Sequence, residues 1–171
     1  MGIWALFLAV STTFEMSKYA LLKNGFVTLF HSTPNEDDKR IIASSSLVIN
    51  VIFTIIFIFL VLLGSHWLSV YWKAPALHKM LLWYIPVTLF LVPFSHWEYL
   101  QQANMSFKGI FAAYFTRQGL FFLLVVISSI WFSKSIDLFT LVLFQLVGIV
   151  AGAAMGWYFS RPYLQGVFTP S

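Results

Sequence analysis

Residues 41–72 read Ile-Ile-Ala-Ser-Ser-Ser-Leu-Val-Ile-Asn-Val-Ile-Phe-Thr-Ile-Ile-Phe-Ile-Phe-Leu-Val-Leu-Leu-Gly-Ser-His-Trp-Leu-Ser-Val-Tyr-Trp, thirty-two positions without Asp, Glu, Lys or Arg. The hydrocarbon core of a bilayer takes roughly 20 apolar helical residues to cross. A soluble domain of this size has no use for the continuous block Ile52–Leu63. The run therefore reads as a membrane span, and the rest of the chain repeats the pattern.

Of the 171 residues, 60% are hydrophobic and 9% are charged, against about 25% charged in an ordinary soluble domain. No polar stretch exceeds about ten residues, so no soluble domain fits. The net charge of +4 comes from Lys and Arg scattered at span ends. Nucleic acid binding needs them clustered on one face, so nucleic acid is excluded as a partner. Cysteine is absent, which removes disulfides and thiolate metal sites. The N-terminus lacks the basic leader of a secretory signal.

Five spans follow, at about 2–24, 41–63, 76–99, 109–132 and 138–159. The fold class is an all-α, polytopic membrane helix bundle in one transmembrane domain. The first span is the least apolar, because Glu15, Lys18 and Lys23 interrupt it. Asn24–Ser32 reads as an interfacial segment and Thr33–Arg40 as a loop, its Pro and charges barred from membrane depth. Gly64–Pro75 and Ser133–Asp137 read as turns. Trp67, Tyr71, Trp72, Trp131, Trp157 and Tyr158 sit where an aromatic belt belongs. No internal repeat is found.

The side holding Thr33–Arg40 collects Lys23, Lys39, Arg40, Lys108 and Arg161, with Arg117 nearby; the other collects Lys73, Lys79 and Lys134. The positive-inside rule makes the Thr33–Arg40 loop cytoplasmic. Met1 is then expected outside, which implies at least one earlier helix.

Charged residues at membrane depth cost about 2.5–3.5 kcal/mol on insertion scales and face a bundle interior or a watery cavity. Glu15 and Lys18 stand i, i+3 on one helix face with Ser11 and Leu22. They read as the lining of a substrate path, or as a neutralised or snorkelling pair. Arg117, followed by Gln118, lies about nine residues into the fourth span. It suits a phosphate, which guanidinium binds bidentately, or snorkels to the interface. Glu98 beside Trp97 reads as an interfacial carboxylate. Pro86 and Pro93, seven apart, can kink the third span, as in rocking transporters. Gly148, Gly152 and Gly156 form a small-residue stripe for close helix packing, within the fold or between chains. His31, His66, His78 and His96 fall near span ends without ligand spacing, so no metal is expected. Catalytic and cofactor motifs are also missing, so neither an enzyme nor a cofactor is expected. Glu98 with His96 is the only local pair an enzyme reading could use.

The stretch Gly2–Phe14, then Tyr19-Ala-Leu-Leu-Lys-Asn-Gly-Phe-Val, an acidic loop and Ile41-Ile-Ala-Ser-Ser-Ser-Leu resembles the polysaccharide flippases. These are the O-antigen and lipid-linked oligosaccharide exporters of the multidrug/oligosaccharidyl-lipid/polysaccharide superfamily. Phe107-Lys108-Gly109-Ile110-Phe111, after a loop rich in Gln and Asn, is similar to that family's fourth-to-fifth helix connection. The resemblance covers most of the chain. It implies a two-lobed transporter of about twelve to fourteen helices, of which these spans are helices two to six of an incomplete N-terminal half. It implies the bacterial inner (plasma) membrane, the missing remainder of the transporter as partner, and a glycan on polyprenyl pyrophosphate as substrate. Lys18 and Arg117 become candidates for pyrophosphate or sugar contacts, with Glu15 a balancing or coupling group. The alternative is a small stand-alone membrane subunit that packs through Gly148, Gly152 and Gly156.

Overall fold

The computed structural model describes residues 2–131 and 137–164. Five α-helices account for nearly all of them: α1 (Gly2–Ser32), α2 (Glu36–Tyr71), α3 (Pro75–Ala103), α4 (Phe107–Trp131) and α5 (Leu138–Leu164). Four of these, α2 to α5, are long and apolar enough to cross a membrane. The first helix has the length, 31 residues or about 46 Å at the α-helical rise, but carries three charges. The chain is an all-α, multi-pass membrane protein.

The helices outrun the expected spans, and the reasons are local. Asn24–Ser32 continues α1 instead of lying apart, because Gly25 costs a helix only about 1 kcal/mol while Phe26 packs into the bundle. Pro34 bars α geometry from the residue before it and stops the helix. The Thr33–Arg40 loop shrinks to Thr33–Asn35, and 36–40 form the opening turns of α2. Asn35 caps them: its side-chain oxygen accepts from the Asp37 N–H at 3.2 Å, satisfying one orphan donor. Asp37 and Asp38 then lie at the positive end of the helix dipole.

The turn expected from Gly64 begins only at Trp72. Lys73, with φ 50°, closes α2 in the left-handed conformation. The Ala74 N–H reaches the Ser69 carbonyl at 2.8 Å and the Lys73 N–H the Val70 carbonyl at 3.1 Å, the paired bonds of a Schellman ending. Pro75 opens α3, where its missing N–H costs nothing. The α3–α4 turn repeats the device around Met105, with φ 54°. The Ser133–Asp137 turn, Lys134 in the charge count and the span end Phe132 fall outside the described residues, Asp137 excepted.

Helix α3 is the hub. It packs on α2, α5 and α1, and more lightly on α4, while α4 lies mainly along α5. It stays helical through both Pro86 and Pro93. Its Leu77, Leu81, Tyr84, Val87, Leu91 and Phe94 form the main core with Phe7, Ala113, Val142 and Ile149. Leu22, Phe26, Ala43, Tyr99, Leu100 and Ala103 make a second cluster nearer the α1–α2 turn. Between α2 and α3, the fully buried Asn50 donates through Nδ2 to the Ser95 hydroxyl at 2.8 Å and to the Val92 carbonyl at 3.3 Å. The outward side chains are as apolar as the core: Ile52, Ile55, Ile56, Phe59 and Leu60 on α2, and Phe111, Phe115 and Phe122 on α4. A patch of that size has no place in water and fits a lipid-facing surface.

The small-residue stripe of α5 is spent inside the fold. A Cβ at Gly148 would stand 2.7 Å from the Arg117 carbonyl oxygen, and one at Gly152 would stand 3.0 Å from the Arg117 Cβ and 3.1 Å from the Ala113 oxygen. Gly156 faces Trp97, whose Cβ would lie 3.4 Å away. The glycines thus let the α4 backbone settle onto α5 at the level of Arg117.

Candidate functional site: a charged cavity between α1, α3 and α4

Because α1 and α4 both lean on α3 but pack little on each other, a cavity of about 620 Å³ is left between them. Ser11, Thr12, Glu15, Lys18 and Tyr19 of α1 line it, opposite Tyr114, Arg117 and Gln118 of α4, with Tyr84, Ser95 and Glu98 of α3 at the back. Gln145 of α5 completes the polar lining. The helical repeat explains the α1 face: Phe7, Ser11, Lys18 and Leu22 recur at spacings of four and seven and are its buried stripe.

The sequence points to Glu15 and Lys18 as a local pair. The structure separates their roles. The Glu15 carboxylate accepts from the Arg117 guanidinium, whose Nη2 lies 3.3 Å from each oxygen, and from the Tyr84 hydroxyl. One carboxylate therefore links α1, α3 and α4. The Arg117 guanidinium also lies 5.3 Å from the centre of the Phe94 ring, within the range of a cation–π attraction.

Lys18 has no such partner. Its side chain is 4% exposed, and its Nζ makes no hydrogen bond. Phe14 lies nearby, with its ring centre 6.0 Å from the ammonium. A buried ammonium without an acceptor is expensive.

Glu98, read as an interfacial carboxylate, is turned into the bundle and 6% exposed, five residues before α3 ends at Ala103. The Tyr19 hydroxyl donates to one carboxylate oxygen at 2.7 Å and the Tyr114 hydroxyl to the other at 2.8 Å. The Lys23 ammonium stands 3.8 Å away. This second carboxylate also ties α1 to α4 across α3. Tyr19 and Lys23 are i, i+4 on one face of α1. That spacing is the one sequence signal that could have flagged the cage, and Tyr84 and Tyr114 left none.

Glu98 and His96, the one local pair an enzyme reading could use, do not meet, because residues i, i+2 point to different sides of a helix. His96 is buried and packs beside Trp97, ring centres 5.3 Å apart. His66 and His78 come together at the α2–α3 turn, ring centres 5.7 Å apart, and His78 shares a 2.8 Å hydrogen bond with Ser65. Among the described residues no three metal-ligating side chains converge.

In the cavity lining, then, Lys18 and Arg117 balance Glu15 and Glu98, while Lys23 stands outside it against Glu98. The chamber also presents hydroxyls and amides that can bond to a polyol. No family model, curated protein or solved structure matches this chain.

Proposed function

We propose that the chain is a cavity-forming part of a membrane exporter that moves an amphiphile with an anionic, sugar-bearing headgroup. The class that best fits is lipid-linked oligosaccharide destined for the cell surface, as the resemblance to polysaccharide flippases implies. The observation that carries the reading is Lys18, a buried ammonium with no acceptor on the wall of a roomy polar cavity at membrane depth. A phosphate or pyrophosphate is the acceptor it lacks. Arg117 is the second candidate contact, held by Glu15. The carboxylate keeps the guanidinium in place and yields it to a headgroup of higher charge. Pro86 and Pro93, each removing a backbone bond within α3, give the hub helix places to bend.

The rest of the reading follows from charge and from that class. The Thr33–Asn35 turn is cytoplasmic, the membrane is the bacterial inner membrane, and further helices complete a second lobe. The stand-alone subunit reading loses its interface, since Gly148, Gly152 and Gly156 are covered by α4 and α3. The test is surface glycan in cells that depend on this gene, with protein level held equal. Lys18→Ala and Arg117→Ala are each expected to reduce it. Undiminished glycan in both variants removes these residues from the mechanism.

A further inference from the structure

A second concavity lies between α1 and α2, just inside the membrane from the Thr33–Asn35 turn. Its volume is about 240 Å³, and Leu21, Gly25 and Leu29 face Ile42, Ser46 and Ile49 across it. Its α2 wall runs from Ile41 to Ile49, about 12 Å along the helix, and starts one residue after Arg40. The groove is a slot, apolar but for Ser45 and Ser46, that opens below a charged helix end.

Two features mark it as more than a seam between helices. A Cβ at Gly25 would meet nothing within 4 Å, so the gap is not closed by any neighbour. Ser46 on its wall is 7% exposed and its Oγ has no hydrogen-bond partner. Most other buried helical hydroxyls return their proton to a carbonyl of the preceding turn, as Ser11 does to Leu8, Thr54 to Asn50 and Thr88 to Tyr84. In hydrocarbon an unmade hydroxyl bond is costly. The groove therefore calls for an occupant that is chiefly a hydrocarbon chain but brings one acceptor to the depth of Ser46.

We propose that this groove binds one acyl chain of an ester-linked glycerophospholipid, with the Ser46 hydroxyl donating to the ester carbonyl. Ser46 lies six residues below Arg40, about 9 Å along the helix. A headgroup phosphate at the level of Arg40 sets the ester carbonyl near Ser46 and sends the chain along Gly25, Leu21 and Ile49. A polyprenyl tail fills the same walls but has no carbonyl to accept the proton. The site is independent of the charged cavity and of what that cavity carries.

The test is native mass spectrometry of the purified full chain in detergent, titrated with dioleoyl phosphatidylglycerol and with its diether analogue, which lacks the ester carbonyls. The parent protein is expected to retain one ester lipid, and about fivefold more of it than of the diether, the worth of one hydrogen bond. Gly25→Leu, which fills the slot without meeting another atom at its Cβ, reduces ester-lipid retention to the level of non-specific adducts. Ser46→Ala keeps a lipid but loses the preference for ester over ether. Equal retention of the two lipids by the parent overturns the proposal, as does unchanged retention in Gly25→Leu. A polypeptide segment seated there in place of lipid also overturns it, and is seen as a parent protein with no specific lipid adduct.

Discussion

Glu15→Leu is expected to destabilise the purified protein by about 3 kcal/mol, the low end of the cost of breaking a buried ion pair from one side. The low end applies because the side chains of Arg117 and Glu15 keep 17% and 27% of their surface exposed. The substitution removes the acceptor that Arg117 and Tyr84 share and leaves two cations, Lys18 and Arg117, at membrane depth. The loss belongs to the stranded guanidinium more than to the missing bond. Removing the guanidinium as well, in Glu15→Leu with Arg117→Met, is therefore expected to recover most of the stability. Reversible unfolding in mixed micelles, followed by helical circular dichroism, measures both variants. Equal loss in the single and double variants would mean that the pair does not bridge α1 and α4.

Gly148→Val is expected to cost about 3 kcal/mol, at the top of the usual range for overpacking. Its Cβ would stand 2.7 Å from the Arg117 carbonyl oxygen. That oxygen belongs to the α4 backbone and cannot swing aside as a side-chain tip can, so α4 must lift off α5. The lift also draws Arg117 away from Glu15. Gly156→Ala on the same stripe is the internal control. Its Cβ would rest 3.4 Å from that of Trp97, an ordinary contact, and alanine favours the helix by about 1 kcal/mol. The same unfolding assay should place Gly156→Ala at or slightly above the parent. Similar losses at both positions would show that α5 is not held closer to α4 at Gly148 than to α3 at Gly156.

The residues that decide membrane insertion were plain in the sequence, because insertion depends on local composition. Ile41–Trp72 needs no partner to declare itself a span, and Ser11, Lys18 and Leu22 share a face by helical arithmetic alone. Helix ends were less legible. Gly64 reads as a breaker, yet one glycine in a run of Ile, Phe and Leu is outweighed by its neighbours, and α2 continues to Tyr71. The site was legible only as an inventory of charges. Spacing brought Glu15 and Lys18 together, but the partner of Glu15 is Arg117, 102 residues away, and no local rule chooses between them. The burial of Glu98 was not legible for a related reason: its partners Tyr19 and Tyr114 lie on other helices, and no local rule selects them. The use of Gly148, Gly152 and Gly156 inside the fold rather than between chains likewise depends on where α4 lies.

The central claim is that the α1–α3–α4 cavity is polar and open to water at membrane depth, and the absence of cysteine makes it directly testable. Gln118→Cys places a thiol at the cavity wall, and Ile56→Cys places one on the outward face of α2, which lines no part of that cavity. Both are treated in native membranes with a charged, membrane-impermeant thiol reagent, and the labelling rates are compared. Because the thiolate forms readily only where water reaches it, Gln118→Cys is expected to react at least about tenfold faster than Ile56→Cys. Equal, slow labelling of both, with reaction only toward a lipophilic reagent, would contradict the account and leave the cavity a dry space within the bilayer.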